Sequence, residues 1–192
     1  MFDYIQKSFG YSNYEIAQLR HAFKVYISEI SKMLIIGLFF ITRLPLFIWT
    51  LLIFQLMRQA TGGMHFKTYI SCLIASLSFF ILSIDILPLI PVCRLIQLIS
   101  LLICVIISHC LGPVISDIHM PLSKDAIAKA KLRLITIVFF YMLFLFIMPQ
   151  NAYTNSGFWV IILNTLQLIV ARIRKEVKHT NENQNTFSRT DV

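Results

Sequence analysis

A histidine and a cysteine seven residues apart, His65 and Cys72, are the pair in this chain whose types suit nucleophilic chemistry. A thiol becomes an effective nucleophile when an imidazole within hydrogen-bond reach takes its proton. On an unbroken helix, seven residues place two side chains on one face but about 10 Å apart along the axis. Direct contact therefore requires a turn between them, with His65 in a loop and Cys72 near a helix start.

The residues around this pair permit such a turn. Gly62-Gly63 frees the backbone just before His65. Thr68 or Ser71 can cap a helix that begins before Cys72. Backbone amides at that helix start are then the expected donors to an oxyanion.

Positive charge around Cys72 favours its thiolate form. The N-terminal end of a helix dipole is positive, and Arg58 and Lys67 add cations nearby. Two other interpretations stay open, because the cysteine can simply pack as a small apolar residue and the histidine can be solvated. Metal binding is a further alternative without recognisable ligand spacing, although other histidines and cysteines follow in the sequence, namely His109, Cys110 and His119.

Composition predicts an integral membrane protein. The 192 residues are 57% hydrophobic and only 14% charged, whereas soluble domains are about 25% charged. The net charge of +8 gathers between the apolar runs, as in cytoplasmic loops. No long polar face could present these charges to nucleic acid, so a nucleic-acid partner is excluded. None of the four cysteines forms a CxxC pair, which argues against a disulfide framework.

The hydropathy pattern predicts an all-α polytopic membrane protein with about six transmembrane helices in three hairpins. An amphipathic helix with a plausible N-cap at Asn13 precedes them. Thr42–Pro45 interrupts the apolar run 33–57, because arginine is costly in a bilayer and proline ends a helix. Two spans there are preferred over a single kinked span. The predicted spans are 25–42, 44–57, 73–87, 95–111, 134–148 and 158–171.

The basic loops predict the orientation. Lysines and arginines are concentrated in four segments, and placing these inside puts both termini in the cytoplasm and requires an even number of spans. The chain is predicted to be a single membrane domain, 1–192. Its segments are an amphipathic N-terminal segment at 1–32, a cytoplasmic-face catalytic loop at 58–72, a basic loop at 114–133 and a basic, disordered tail at 172–192.

The central motif resembles that of the accessory gene regulator B family. Arg58, Gly62-Gly63, His65 and Cys72 stand in the frame R-x3-GG-x-H-x6-C. A second segment is also similar, in which Gly112-Pro113-Val114 is followed by Pro121-Leu122-Ser123-Lys124 and a basic stretch. The likeness extends from about residue 15 to 175 in the order of apolar and basic blocks.

That resemblance implies a cysteine endopeptidase of Gram-positive quorum sensing in the cell membrane. Cys72 would be the nucleophile and His65 the general base, and the residues implied to support the site or its substrate are Arg58, Gly62, Gly63 and Lys67. The enzyme would cut an amphipathic propeptide of the accessory gene regulator D type and retain its N-terminal part as a thioester. A substrate cysteine or serine would then close a thiolactone or lactone ring. No cofactor is implied.

Further partners are expectations from charge and chemistry. Acidic substrate residues would meet the basic side chains Lys124, Lys129, Lys131 and Arg133. The lipid bilayer is a partner, and the sequence allows a homodimer without requiring one. Two other functions stay open, a small transporter or peptide exporter dependent on Asp85 or Glu29, and a non-catalytic scaffold.

Overall fold

Six helices make up most of the described chain, which comprises residues 12–62, 68–114 and 123–190 of a computed structural model. We number them α1 to α6, and their bounds are Asn13–Phe39, Leu44–Thr61, Tyr69–Ile81, Arg94–Leu111, Lys124–Ile147 and Ala152–Thr190. No strand occurs in these ranges. The chain divides into two compact units, Met1–Leu44 and Pro45–Val192.

The first unit consists of α1 and the turn that follows it. Ser12, rather than Asn13, is the N-cap of α1, and it forms a capping box with Glu15. The helix runs on to Phe39, so the segment predicted to end at residue 32 is longer by two turns. Glu29 and Lys32, one turn apart on α1, form an ion pair.

The predicted interruption at Thr42–Pro45 is present in the backbone. Helix α1 ends at Phe39, a single 3-10 turn covers Ile41–Arg43, and α2 begins at Leu44. Pro45 is therefore the second residue of a helix, where its missing N–H costs no hydrogen bond.

Five of the described helical segments are long and apolar enough to cross a membrane. They are Ile41–Thr61, Tyr69–Leu89, Arg94–Leu111, Lys124–Ile147 and Ala152–Val177. Helix α1 is not among them, since even its most apolar 18 residues, 22–39, contain three charged side chains, Lys24, Glu29 and Lys32. The count of six spans therefore stays a prediction.

Helix α6 is the central element of the second unit. Half of its apolar window is buried, against 22% to 28% in the other four candidate spans. It lies parallel to α2, because Trp49 and Thr61 near the two ends of α2 bond Tyr153 and Asn164 in the same order. A side chain at Gly157 would meet Tyr141 Oη at 2.5 Å, so glycine permits this close approach of the helices.

The second unit has apolar outer faces and polar groups inside. On α4, the outward residues Leu95 and Ile106 are 66% and 61% exposed, whereas Gln97 and Ser108 on the other face are 1% and 3% exposed. A soluble helix shows the reverse arrangement. This pattern suits a lipid environment, in which the outer surface has no water to meet.

Helix α3 changes its winding near its C-terminal end. After Ile81 the chain continues as a π-helical turn, Leu82–Ile86, which includes Asp85, and then a 3-10 turn, Leu87–Leu89. Helix α6 packs against both turns.

Parts of two predicted loops are helical in the described residues. Residues 124–133, predicted as the end of a basic loop, form the first turns of α5, whose N-cap Ser123 accepts a hydrogen bond from Ala126 N. Alanine and lysine are strong helix formers, which explains the early start. In the window 58–72, the first four residues close α2 and the last four open α3.

The predicted disordered tail is also helical. From residue 172, α6 continues to Thr190. An ion pair one turn long, from Arg172 Nε to Glu176 Oε1 at 3.0 Å, supports this extension. This one pair adds local support to the helix at its transition into the tail.

Candidate active site

Cys72 lies in the first turn of α3 and is buried, with 8% of its surface exposed. Thr68 is the N-cap of this helix, and its hydroxyl accepts a hydrogen bond from Ser71 N at 3.3 Å. The prediction that Thr68 or Ser71 caps a helix just before Cys72 is therefore confirmed, with Thr68 in that role. The thiol faces the protein interior at a helix start, where the dipole favours negative charge.

The amides nearest the thiol are already engaged. Cys72 N donates to Thr68 O at 3.2 Å, and Ser71 N donates to Thr68 Oγ1. Neither amide is available to a developing oxyanion while the cap is intact. The expectation that backbone amides at this helix start supply the oxyanion donors therefore stays a prediction, and it excludes these two amides while the cap is intact.

Aromatic contacts between α2 and α3 show which part of α2 lies beside Cys72. The ring of Phe54 lies 4.7 Å from that of Phe79, and the ring of Phe47 lies 5.1 Å from that of Phe80. Only seven residues connect the end of α2 at Thr61 to the start of α3 at Tyr69, so two helices in contact through these rings are antiparallel. Seven residues from the Phe54–Phe79 contact along each helix, about 10 Å away, come Thr61 and Cys72. The two residues therefore lie at the same level.

The two polar segments between the apolar runs, 58–72 and 114–133, meet at Gly62 and Val114. We call these segments the two polar windows. Val114 N donates to Thr61 O at 3.0 Å, which makes a single parallel bridge between the chain after α2 and the chain after α4. Gly62 has a φ of +77°, and a Cβ there would lie 2.2 Å from Val114 O. Only glycine fits this turn without moving the backbone. We call this end of the unit, with Cys72, Thr61, Gly62 and Val114, the cysteine end.

A buried polar contact joins the cysteine end to the central helix. Thr61 Oγ1 donates to Asn164 Oδ1 at 3.0 Å, and both residues are 3% exposed. A cavity of about 10 Å³ adjoins them, lined by Thr61, Gly62, Val114, Asn164, Gln167, Leu168 and Ala171. That volume is close to the room that one water molecule needs.

Sequence reasoning missed Asn164 and Gln167 because they lie in what was predicted as a plain span. A signal was present, since an amide side chain inside an apolar run is costly unless it has a partner.

The predicted supporting residues take different positions. Arg58, on the last turn of α2, holds its guanidinium 5.9 Å from the centre of the Phe54 ring, a cation–π distance. Gly62 forms the turn described above. His65, Gly63 and Lys67 lie outside the described residues.

The four basic residues predicted to bind substrate are not equivalent. Lys124, Lys129 and Arg133 are exposed on α5, whereas Lys131 is half-buried. Its Cε lies 3.5 Å from the place where a Cβ on Gly112 would be. Lys131 is thus the one of these four that the structure brings next to the Gly112–Val114 segment.

By residue type, the sequence offers four side chains that could orient the imidazole of His65, namely Gln55, Gln59, Thr68 and Asp117. This choice stays open, because His65 lies outside the described residues. Gln55 and Gln59 are exposed on α2. Thr68 uses its hydroxyl in the cap, 2.7 Å from Ser71 Oγ. Asp117 lies outside the described residues.

The four cysteines all lie in the described ranges, and each is a free thiol. Cys72 and Cys104 are buried, whereas Cys93 and Cys110 are exposed. Within residues 12–62, 68–114 and 123–190, no three histidine, cysteine or acidic side chains are grouped as metal ligands.

A second buried polar region lies at the opposite end of the unit, where α4 and α6 begin and α5 ends. Gln97 Nε2 donates to Asn155 Oδ1 at 3.0 Å, and Tyr141 Oη donates to Thr154 O at 2.7 Å. Arg94 Nη2 donates to Met148 O at 2.6 Å. Gln97 Oε1 and Arg94 Nη1 are buried without a hydrogen-bond partner in the described part of the chain.

Fold and site together define a polytopic helical membrane protein with a buried thiol at a capped helix start. Comparison with known proteins narrows this class. The profile of the Accessory gene regulator B family matches residues 1–169. The chain is 26% identical over 182 residues to a Clostridium beijerinckii protein described as AgrB-like, covering 93% of this chain and 89% of that protein. No solved structure matches the chain.

The chain belongs to the Accessory gene regulator B family, because the match extends over most of its length. The resemblance seen in the motif of Arg58, His65 and Cys72 is thereby confirmed at the level of the family. Membership gives the protein a role in processing the autoinducer of the accessory gene regulator system.

Proposed function

We propose that this protein is a membrane-embedded cysteine endopeptidase that cleaves a quorum-sensing propeptide and closes the product into a ring. Cys72 is its nucleophile and His65 its general base. The observation that carries the proposal is the buried thiol of Cys72 in the first turn of α3, at the level where the two polar windows meet. A cysteine that served only as a small packing residue would not have to lie at a capped helix start beside two polar segments.

The first half-reaction forms a thioester. His65 takes the proton of the Cys72 thiol, and the sulfur attacks the carbonyl carbon of the scissile peptide bond. The tetrahedral intermediate collapses, the C–N bond breaks, and His65 gives its proton to the departing amine. The C-terminal fragment leaves, and the N-terminal part remains bound to Cys72 through sulfur.

The second half-reaction releases the ring. A thiol or hydroxyl of the bound peptide loses its proton to His65 and attacks the thioester carbonyl. The C–S bond to Cys72 breaks, and the thiol regains its proton. Ring closure is intramolecular, so its high effective concentration lets it compete with water. Burial of Cys72 also limits the access of water to the thioester.

The proposed topology has six crossings, with α1 as the first and both termini in the cytoplasm. The 27 residues of α1 are about 40 Å long, enough for a bilayer. The ion pair between Glu29 and Lys32 lowers the cost of placing both charges there. Basic residues of α5 then lie on the cytoplasmic side, with the cysteine end. Single-cysteine variants at the two ends, labelled with an impermeant maleimide in intact Gram-positive cells, test this arrangement.

The proposed partners follow from the same topology. An amphipathic propeptide of the accessory gene regulator D type would lie in the cytoplasmic leaflet and reach the cysteine end from the side. Its acidic residues would meet basic side chains of α5. Self-association into a homodimer is a further proposal, which crosslinking in native membranes tests.

The decisive experiment compares wild type, Cys72→Ala and Cys104→Ala in lipid vesicles with a candidate precursor peptide. Cys104 is the matched control, because it is buried to the same degree, with 7% exposed. Intact mass should reveal an adduct equal to the N-terminal part of the peptide in wild type and Cys104→Ala, and none in Cys72→Ala. An adduct that survives the loss of Cys72 contradicts the proposal.

One observation keeps a peptide exporter as a second candidate. Asp85 is half-buried in the π-helical turn of α3, and such turns are frequent at functional sites. An exporter would need Asp85 and tolerate Cys72→Ser. The peptidase would tolerate Asp85→Asn and lose activity with Cys72→Ser or Cys72→Ala.

A further inference from the structure

We propose that Asn164 and Thr61 form a positioning pair for the cysteine end, in which the central helix α6 fixes the turn that leads to the catalytic histidine. This inference rests on the proposed function for its catalytic consequence. Neither residue is expected to touch substrate. They act through the backbone of Gly62 and Val114.

The pair is the buried polar link between α2 and α6 at this end. Thr61 Oγ1 and Asn164 Oδ1 are 3.0 Å apart, and each residue is 3% exposed. Thr61 Oγ1 also lies 3.0 Å from Met57 O and 3.1 Å from Gly62 O, so its single hydroxyl proton is shared between Asn164 and these two carbonyls. An isolated amide in an apolar helix is unfavourable, and Thr61 gives Asn164 a polar partner there.

The same threonine anchors the bridge between the two polar windows. Its carbonyl accepts the hydrogen bond from Val114 N at 3.0 Å, while its side chain contacts Asn164. Thr61 therefore joins three chain segments, the end of α2, the segment after α4 and the middle of α6. Movement of α6 would be transmitted to Gly62 and Val114 together.

The position of this junction relates it to catalysis. Gly62 is the last described residue before the segment that carries His65, and its φ of +77° sets the direction in which the chain leaves α2. Thr61 lies at the level of Cys72, as the Phe54–Phe79 contact indicates. Holding Gly62 fixed therefore fixes the point at which the chain leaves α2, at the level of the thiol.

A test requires variants that remove one polar atom and little volume. Thr61→Val removes the hydroxyl and keeps the shape, and Thr61→Ser restores the hydroxyl. Thr50→Val is the matched control on the same helix, since Thr50 is also fully buried and bonds only α2 carbonyls, at 2.9 and 3.0 Å. Asn164→Leu removes the other half of the pair.

Two readouts separate positioning from catalysis. The first is the rate constant for adduct formation on Cys72 with saturating precursor peptide, together with KM. The second is hydrogen exchange of the peptide segment containing Val114, which needs no activity.

We expect Thr61→Val and Asn164→Leu each to slow adduct formation about tenfold, the effect of losing one buried hydrogen bond. KM should stay within twofold, and Val114 should exchange about tenfold faster. Thr61→Ser should restore both readouts, and the double variant should be no worse than either single one. Thr50→Val should change neither readout.

Three results would overturn the inference. Thr61→Val could equal Thr50→Val in both readouts, Thr61→Ser could fail to rescue, or the two single effects could multiply in the double variant. Absence of any Cys72 adduct in wild type has a different meaning. It refutes the proposed function and with it the catalytic consequence, while the exchange data still decide whether the pair holds Val114.

Discussion

The cysteine end and the opposite end of the second unit both bury polar groups, but they use them differently. At the opposite end, Arg94, Tyr141 and Trp49 each donate to a main-chain carbonyl near the loop between α5 and α6. At the cysteine end, one side-chain contact and one backbone bridge converge on Thr61.

On the proposed function, this difference separates a structural region from the catalytic one. Several independent bonds hold the opposite end, so the loss of one is partly compensated by the others. The cysteine end depends on Thr61 and on a glycine that no other residue can replace without moving Val114. Such an arrangement suits a site in which the Cys72 thiol, the turn at Gly62 and a nearby basic side chain must keep fixed positions relative to one another. We therefore expect variants at the two ends to affect different quantities.

Gly62→Ala should have the largest effect. Its Cβ would lie 2.2 Å from Val114 O, and its φ of +77° is unfavourable for alanine. Combined strain of about 3 kcal/mol should separate the two segments and reduce precursor cleavage about a hundredfold. Gly112→Ala is the control, because its φ of +68° is similar but the nearest atom is 3.5 Å away. Equal loss of cleavage in both variants would show that φ alone matters.

Asn155→Leu should lower stability and leave chemistry unchanged. It deprives Gln97, which is 1% exposed, of the acceptor for its Nε2. An unpaired buried amide costs about 1–3 kcal/mol, measurable as a lower unfolding temperature in detergent. Cleavage per folded molecule should stay at the wild-type rate.

The double variant Gln97→Leu/Asn155→Leu is the control for this prediction. Removing both partners together should recover much of the lost stability. A fall in cleavage that exceeds the fall in folded protein would remove the distinction between the two ends.

Lys131→Gln should raise KM for an acidic precursor more than Lys129→Gln does. Lys131 lies against Gly112 at the cysteine end, whereas Lys129 is exposed and has no atom within 4 Å of the Cβ position of Gly112. We expect an increase of about threefold to tenfold for Lys131 and less than twofold for Lys129, in keeping with partly screened charge pairs. The difference should shrink in high salt. Equal increases would indicate a diffuse electrostatic surface.

The smallest effect concerns α1, outside both ends. The main-chain N–H of Ser12, at 2.8 Å, and then its hydroxyl donate to the Glu15 carboxylate and hold its pKa below the usual range. A depressed pKa means that the capping interaction is complete above the unfolded value of about 4.3. It is lost as pH falls through the folded value.

An NMR titration tests this prediction through the Ser12 amide shift. The shift should move at a pH below that of an ordinary glutamate, and Glu15→Gln should abolish the movement. Cleavage at neutral pH should not change. A midpoint at or above the ordinary range would contradict the proposed cap.

Local features were predictable from the sequence because their causes are local. The start of α3 follows from Thr68 as a cap, and the break before α2 follows from Arg43 and Pro45. The all-helical membrane class follows from composition. In each case the residues that decide the outcome lie within one or two turns of the feature.

The remaining features could not be predicted for two reasons. Some depend on contacts between distant segments, and others are helices whose many charged residues led to a prediction of loop or disorder. Thr61 and Asn164 are 103 positions apart, and no spacing rule links them. The two segments predicted as a basic loop and a disordered tail carry many charges, which led to the prediction that both are solvent-exposed and not helical. In the structure α5 begins within the first segment, which contains three alanines, and α6 continues into the second, where Arg172 and Glu176 form an ion pair.

Of the two tryptophans of the chain, Trp49 lies at the opposite end, and Trp159 lies on α6 between Asn155 and Asn164. Trp49 packs on Phe144 at 5.2 Å, and its Nε1 donates to Tyr153 O. Trp159 follows shortly after on α6, against Phe158. Intrinsic tryptophan fluorescence therefore reports on the opposite end, through Trp49, and on α6, through Trp159. Neither tryptophan lies in the turn at Gly62. Emission spectra offer an optical check of folding for every variant of the cysteine end, without a label and in the same cuvette as the activity assay.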